Sequence, residues 1–215
     1  MWIIFAKLST FRIFVLDKEI AMTKEISERI SQMPDGEIFF VGDFADICNE
    51  KAVSRILSAL DDKGTILRLA RGIYCKAVQT RFGPVYPSVN KIVDAVAKRD
   101  HAQVLPSGAT AANILGMSTQ VPMSYTYITS GSARQLTIGE KSINFLRSVP
   151  HNFAYQTTLA ALTVQALKSI GKDNLGAEEE SALRKAISAE SDKEAFRSDV
   201  YMMPQWMKRY VSQLI

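Results

Sequence analysis

Two cysteines and two histidines are few for 215 residues, and the scarcity removes whole classes of chemistry. Cys48 and Cys75 cannot build a disulfide framework or a zinc site, and both read as free, buried thiols of a cytosolic protein. His101 and His151 lie far apart with no partner motif, so no metal is expected. Nucleotide and hydrolase signatures are missing as well. There is no Gly-x-x-x-x-Gly-Lys-Ser/Thr, Gly-x-Gly-x-x-Gly, Gly-x-Ser-x-Gly or His-Glu-x-x-His. No catalytic residue and no cofactor is therefore expected, and the chain reads as a non-enzyme. Long apolar runs are absent too. "MWIIFAKLSTFRIFVLDKEIAM" is interrupted by Lys7 and Arg12, is too short to span a bilayer, and lacks the form of a secretory signal. Met22 directly precedes a helix start, "TKEISERI". Residues 1–21 therefore read as an upstream extension, with a peripheral strand or a membrane-associated tail as the alternative.

What is present is an ordinary soluble composition, 47% apolar and 22% charged, with a net charge of +4. The charge is unevenly placed. Lys63, Arg68, Arg71, Lys76, Arg81, Lys91, Lys98 and Arg99 face a single acid, Asp94, in their stretch, while acids gather between Asp173 and Asp199. A basic segment of this kind permits nucleic-acid binding without requiring it.

Periodicity orders the first part of the chain. Ile26, Ile30 and Met33 share a helical face over 23–33, and "PDG" at 34–36 stops that helix. "EIFF" at 37–40 is a short strand. "GDFADI" then predicts a second helix, with Asp43 as cap and Asp46 as its capping partner. Asn49 starts a third helix whose Val53, Ile56, Leu57 and Leu60 form the buried stripe, and Gly64 closes it. "GTILRLARGIYCK" follows as two strands with Arg71–Gly72 at the turn. Helix, strand, helix, turn, helix and hairpin is the order of a winged helix-turn-helix, predicted over 23–78. Lys51, Ser54, Arg55 and Ser58 share the face of the third helix opposite its apolar stripe, as a major-groove helix requires. Arg68, pointing away from Leu67 and Leu69, Arg71 at the turn and Lys76 complete the expected DNA-binding set. A solvated helix face and a hairpin tip explain the same residues, and Glu50, Asp61 and Asp62 dilute the field.

"RFGPVYPS" places a linker at 79–88. The remaining residues, 89–215, predict a mixed α/β domain with a small antiparallel sheet and C-terminal helices, giving an α+β fold overall. Val89, Ile92, Val93 and Val96 mark a helix to Arg99, and "QVLP" is a strand. "SGATAANILG" is a helix with Ser107 as N-cap and Gly116 as stop, its small residues suited to close packing. "SYTYIT", "RQLTI" and "KSINFLR" are strands, the last two joined through Gly139–Glu140. Leu159, Leu162, Ala166 and Ile170 form the stripe of the next helix. "SDKE" at 191–194 predicts a capping box, and Pro204 opens a last helix carrying Trp206, Tyr210, Val211 and Leu214.

"GEIFFVGDF...SRILSALDDKGTILRLARGIYCK" resembles the N-terminal winged domain of the AbiEi-type antitoxins of bacterial abortive-infection systems. "QVLPSGATAANILGMSTQVPMSYTYITSGSARQLTIGEKSINFLRS" resembles the following domain of a closely allied bacterial family. The resemblance covers about Met22 to Lys172. It implies a cytoplasmic transcriptional regulator that binds double-stranded DNA at its own promoter, represses its operon and counters a nucleotidyltransferase-like toxin without a stable complex. It places the DNA contacts on Lys51, Ser54, Arg55, Arg68 and Arg71. A homodimer is compatible with this reading. Two alternatives stand beside it. One is a protein-interaction module, with the Trp206–Leu214 helix as its apolar surface. The other is an enzyme whose second domain gathers Ser107, Arg147 and His151 in a pocket.

Overall fold

A computed structural model describes the backbone of residues 2–120 and 122–215, with side chains for 17–120 and 122–215. The side chains of Lys7 and Arg12 lie outside that range. The chain is mixed α+β and divides after Ala95 into two compact units.

The first unit opens with helix α1 (Trp2–Gln32), which passes through Met22 without a break. The predicted helix start at Thr23 is therefore interior. Its hydroxyl, which could have capped a new helix, donates instead to the Glu19 carbonyl at 2.8 Å, and Ser27 does the same to Thr23. This back-bonding lets hydroxyl residues sit inside a helix. Strand β1 (Ile38–Phe40) follows. The predicted second helix is a single 3-10 turn, Val41–Phe44, and Asp43 closes it by accepting from the Phe40 N–H at 2.8 Å. Asp46 does not cap: its carboxylate takes both Arg29 guanidinium nitrogens, at 3.0 and 2.6 Å. Helix α2 (Glu50–Asp62) begins where Asn49 accepts from the Ala52 N–H at 3.0 Å. Val53, Ile56, Leu57 and Leu60 are its buried side chains, as the periodicity predicts. Each contributes roughly 1.5–3 kcal/mol by leaving water.

Strands β2 (Ile66–Ala70) and β3 (Ile73–Lys76) form a hairpin whose turn is Arg71–Gly72, with Gly72 at φ +74°. β1 adds to its far side, giving the antiparallel order β1-β3-β2. A register shift between Arg68 and Ala70 alters the expected alternation, so Ile66 and Leu69 are buried and Leu67 is only half-buried. Ile26, Ile30, Phe39, Phe44, Ile66 and Tyr74 close the core with the α2 stripe. Phe39 stacks on Tyr74 and meets Phe44 edge-on.

Residues 79–88 are not a plain linker. β4 (Val78–Thr80) and β5 (Gly83–Val85) pair as a second hairpin around Arg81–Phe82. Pro84 is tolerated because this two-stranded ribbon leaves it at an edge, where a missing N–H costs little. Helix α3 (Val89–Arg99) then runs across the division between the units.

The second unit holds β6 (Val104–Pro106), α4 (Gly108–Ile114), β7 (Ser124–Thr129), β8 (Arg134–Ile138) and β9 (Lys141–Arg147). β8 and β9 make the predicted hairpin around Gly139–Glu140, but the four-stranded sheet is mixed rather than antiparallel. Its order is β6-β7-β9-β8, and β9 lies parallel to β7. The link at 130–133 reaches about 13 Å, enough to skip one strand position at about 4.8 Å per strand. β9 then fills the gap.

Helix α5 (Thr158–Ile170) is buried along every residue from Leu159 to Leu167, far more than the stripe its sequence suggests. It packs against α4, α6 (Ala177–Ala189) and α7 (Lys193–Met202). Asp192, rather than Ser191, caps α7, accepting from the Ala195 N–H at 2.9 Å. Helix α8 (Gln205–Ser212) follows Pro204. Val211 and Leu214 are buried in this core, with Trp206 and Tyr210 packed on it. The apolar face that the interaction-module reading assigned to a partner is thus occupied within the unit.

Candidate nucleic-acid interface

Helix α2 has one side in the core, and its other side carries Lys51, Ser54, Arg55 and Ser58. Lys51 and Arg55 are exposed, one turn apart, and the two serines are half-buried beside them. The side chain at Asn49 satisfies one of the four N–H groups that start the helix, and the others add partial positive charge at that end. Arg55 is not free: its guanidinium meets the Glu19 carboxylate of α1, with both side chains still exposed. An acid four residues upstream of the expected helix start thus competes for a cation assigned to DNA.

Arg71 stands exposed at the tip of the β2–β3 hairpin, where Gly72 supplies the positive φ the turn needs. The Arg68 side chain is exposed, and its backbone N–H donates to Asp61 at 2.9 Å, tying the hairpin to the end of α2. Lys76 has a different role from the one its sequence position suggests. Its Nζ donates to the carbonyls of Ser31 at 3.0 Å and Met33 at 2.7 Å and meets Asp35 at 3.1 Å. It therefore closes the C-terminal end of α1, where free carbonyls and the helix dipole favour a cation. Lys91 does similar work, donating to the Gly36 carbonyl at 2.7 Å.

The charged groups around this core are set by their partners. The Arg29 hydrogen bond holds the Asp46 carboxyl below its usual range, and Arg29, which also lies 5.7 Å over the Phe44 ring, is raised in turn. Burial pushes the Cys75 thiol up to about 11, so this cysteine is neutral and unreactive at neutral pH.

The residues considered for catalysis do not converge. The Ser107 hydroxyl donates to Gln165 Oε1 at 3.1 Å instead of capping α4. Arg147 is exposed on β9, and His151 is exposed with its ring 6.0 Å from that of Tyr155. A cavity of about 270 Å³ beside Tyr155 is lined by Gln103, Gln156, Thr157 and Thr158 among others, and by none of those three. Among the described residues no group of three metal-ligating side chains occurs, and no helix is long and apolar enough to cross a membrane.

A family model, described as a family of unknown function (DUF6088), matches residues 25–195. The chain belongs to this family. The matched span takes in residues of both compact units, α2 and the second-unit sheet among them. No curated protein matches the chain.

Sequence reading missed two residues near this face. Glu19 falls within residues 1–21, which the sequence marks as an extension. Phe82 lies in a stretch whose two prolines and glycine read as a linker, and Arg81–Phe82 is not one of the residue pairs that mark a two-residue hairpin turn.

Proposed function

We propose that the first unit is a winged helix-turn-helix domain and that this DUF6088 protein is a DNA-binding transcriptional regulator of antitoxin type. The observation that carries the reading is the pairing of two features. The sheet order β1-β3-β2 sets a hairpin beside α2, and α2 turns an unburied face of Lys51, Ser54 and Ser58 away from the core. In this reading α2 enters the major groove, and Arg71 touches the backbone or minor groove beside it. Arg68 reaches a phosphate. Arg55 joins once DNA phosphate replaces Glu19, and Lys76 is left to α1.

Autorepression and the countering of a nucleotidyltransferase-like toxin, without a stable complex, rest on the AbiEi resemblance of the sequence. A cytoplasmic, non-enzymatic regulator is consistent with it. The test is equilibrium binding of the full chain to its own upstream duplex and to a scrambled one. Arg71→Ala and Lys51→Ala should each weaken the specific complex by roughly 1–3 kcal/mol for a base-edge contact. A phosphate contact should instead lower the salt slope by about one. Equal, vanishing affinity for both duplexes would overturn the reading and leave a protein-binding module.

A further inference from the structure

Phe82 is 86% exposed, the most exposed large apolar side chain among the described residues. Its ring is not alone: the Arg81 guanidinium lies 4.6 Å from the ring centroid. Both occupy the two-residue turn of the β4–β5 hairpin, and that turn is braced. The Thr80 hydroxyl donates to the Gly83 carbonyl at 2.7 Å and accepts from the Phe82 N–H at 3.3 Å. The base of the hairpin is fixed as well. Gln79 Nε2 donates to the Gly64 carbonyl at 3.0 Å, two residues past the end of α2. The ring is therefore displayed by a fixed element that is tied to the proposed recognition helix.

Charge narrows what such a tip can meet. No acid occurs between Asp62 and Asp94, a stretch that holds both hairpins. Two of its lysines, Lys76 and Lys91, are spent on internal carbonyls. Lys63, Arg68, Arg71 and Arg81 remain exposed. Val85 and Tyr86, about half exposed, add apolar surface at the other end of the same hairpin. A polyanion with an apolar interior suits this combination, and duplex DNA is one. Arginine neutralises phosphate, and an apolar ring can enter between base steps from the minor groove.

We infer that the β4–β5 hairpin is a second DNA contact, with Phe82 as a minor-groove wedge and Arg81 as its phosphate clamp. This rests on the DNA-binding reading above and adds a deformation of the duplex to it. The ring leaves water when it enters the stack, so its contribution is insensitive to salt. Arg81 contributes through counterion release, so its effect grows as salt falls.

The test uses the full chain, its own upstream duplex carrying end labels for bending by energy transfer, and a salt series. Phe82→Ala should weaken binding on the order of tenfold, reduce the bend and leave the salt slope unchanged. Phe82→Trp should restore both. Arg81→Ala should lower the slope by about one. Both positions are exposed, so neither change threatens folding. If Phe82→Ala and Arg81→Ala match the parent while Arg71→Ala is impaired, the second contact is wrong and the DNA-binding reading stands. If the parent binds no duplex, both fall together.

Discussion

Helices α2 and α5 have the same length and the same kind of start, yet they serve opposite ends. Each spans thirteen residues and begins at a side-chain cap, Asn49 for one and Thr157 for the other. α2 buries one stripe and leaves Lys51 and Arg55 in water; α5 buries nine consecutive residues, Leu159 to Leu167. The polar groups follow the same division. Around α2 they point outward or to a neighbouring helix. At the start of α5 they are paired inside the unit: Asp199, fully buried, accepts from the Gln156 and Thr157 N–H groups and the Thr157 hydroxyl at 2.8–2.9 Å. A helix surrounded by its own unit has no face left for a partner. One buried on a single side does.

The start of α5 depends on Asp199. Asp199→Ala strands two backbone donors and a hydroxyl at the start of α5, which should cost about 3 kcal/mol. Urea unfolding followed by circular dichroism reads this directly. An unchanged midpoint would mean the α5 cap is not the fixed point described here.

A smaller effect belongs to the first unit and appears with pH. The Cys75 thiol stays protonated in the folded chain up to about 11, against an ordinary 9.0. Below pH 9 both states carry the proton, so stability is unaffected. Between about 9 and 11 only the unfolded chain loses it, and the folded state should lose roughly 2 kcal/mol. The difference in pH slope between the parent and Cys75→Ala isolates this contribution from the lysines and tyrosines that titrate nearby. Equal slopes would show that Cys75 is not sequestered.

Lys76 and Arg71 sharpen the division between stabilising and recognising cations. Lys76→Ala should lower stability by about 1 kcal/mol, through the loss of the α1 cap, and leave the salt slope of DNA binding intact. Arg71→Ala should do the reverse. The smallest effect is at Glu19. Glu19→Ala removes an exposed ion pair, so stability should change by less than about 1 kcal/mol, while DNA affinity should rise as Arg55 is released. An unchanged affinity would place Arg55 outside the interface.

How much of this was legible depended on whether a residue's neighbours are local. The α2 stripe and the Gly139–Glu140 hairpin were readable because an amphipathic period and a two-residue turn are both set within a few residues. The helix predicted from "GDFADI" failed because Asp46 is claimed by Arg29, seventeen residues away. Lys76 reads as a DNA contact in the sequence because nothing beside it shows that the end of α1 lies within reach. The insertion of β9 between β7 and β8 is topological, and alternation within a strand carries no sign of it. Phe82 was overlooked because two prolines suggested a linker, although one of them sits in an edge strand.

In the proposed function DNA meets the open side of α2 and the two hairpins, and not the helices around α5. Amide hydrogen exchange of the full chain, with and without the upstream duplex, tests it most directly. Added protection is expected at residues 49–58 and 66–85, with none across 158–214. Protection centred on α5 to α8, or no difference between the two samples, would contradict it.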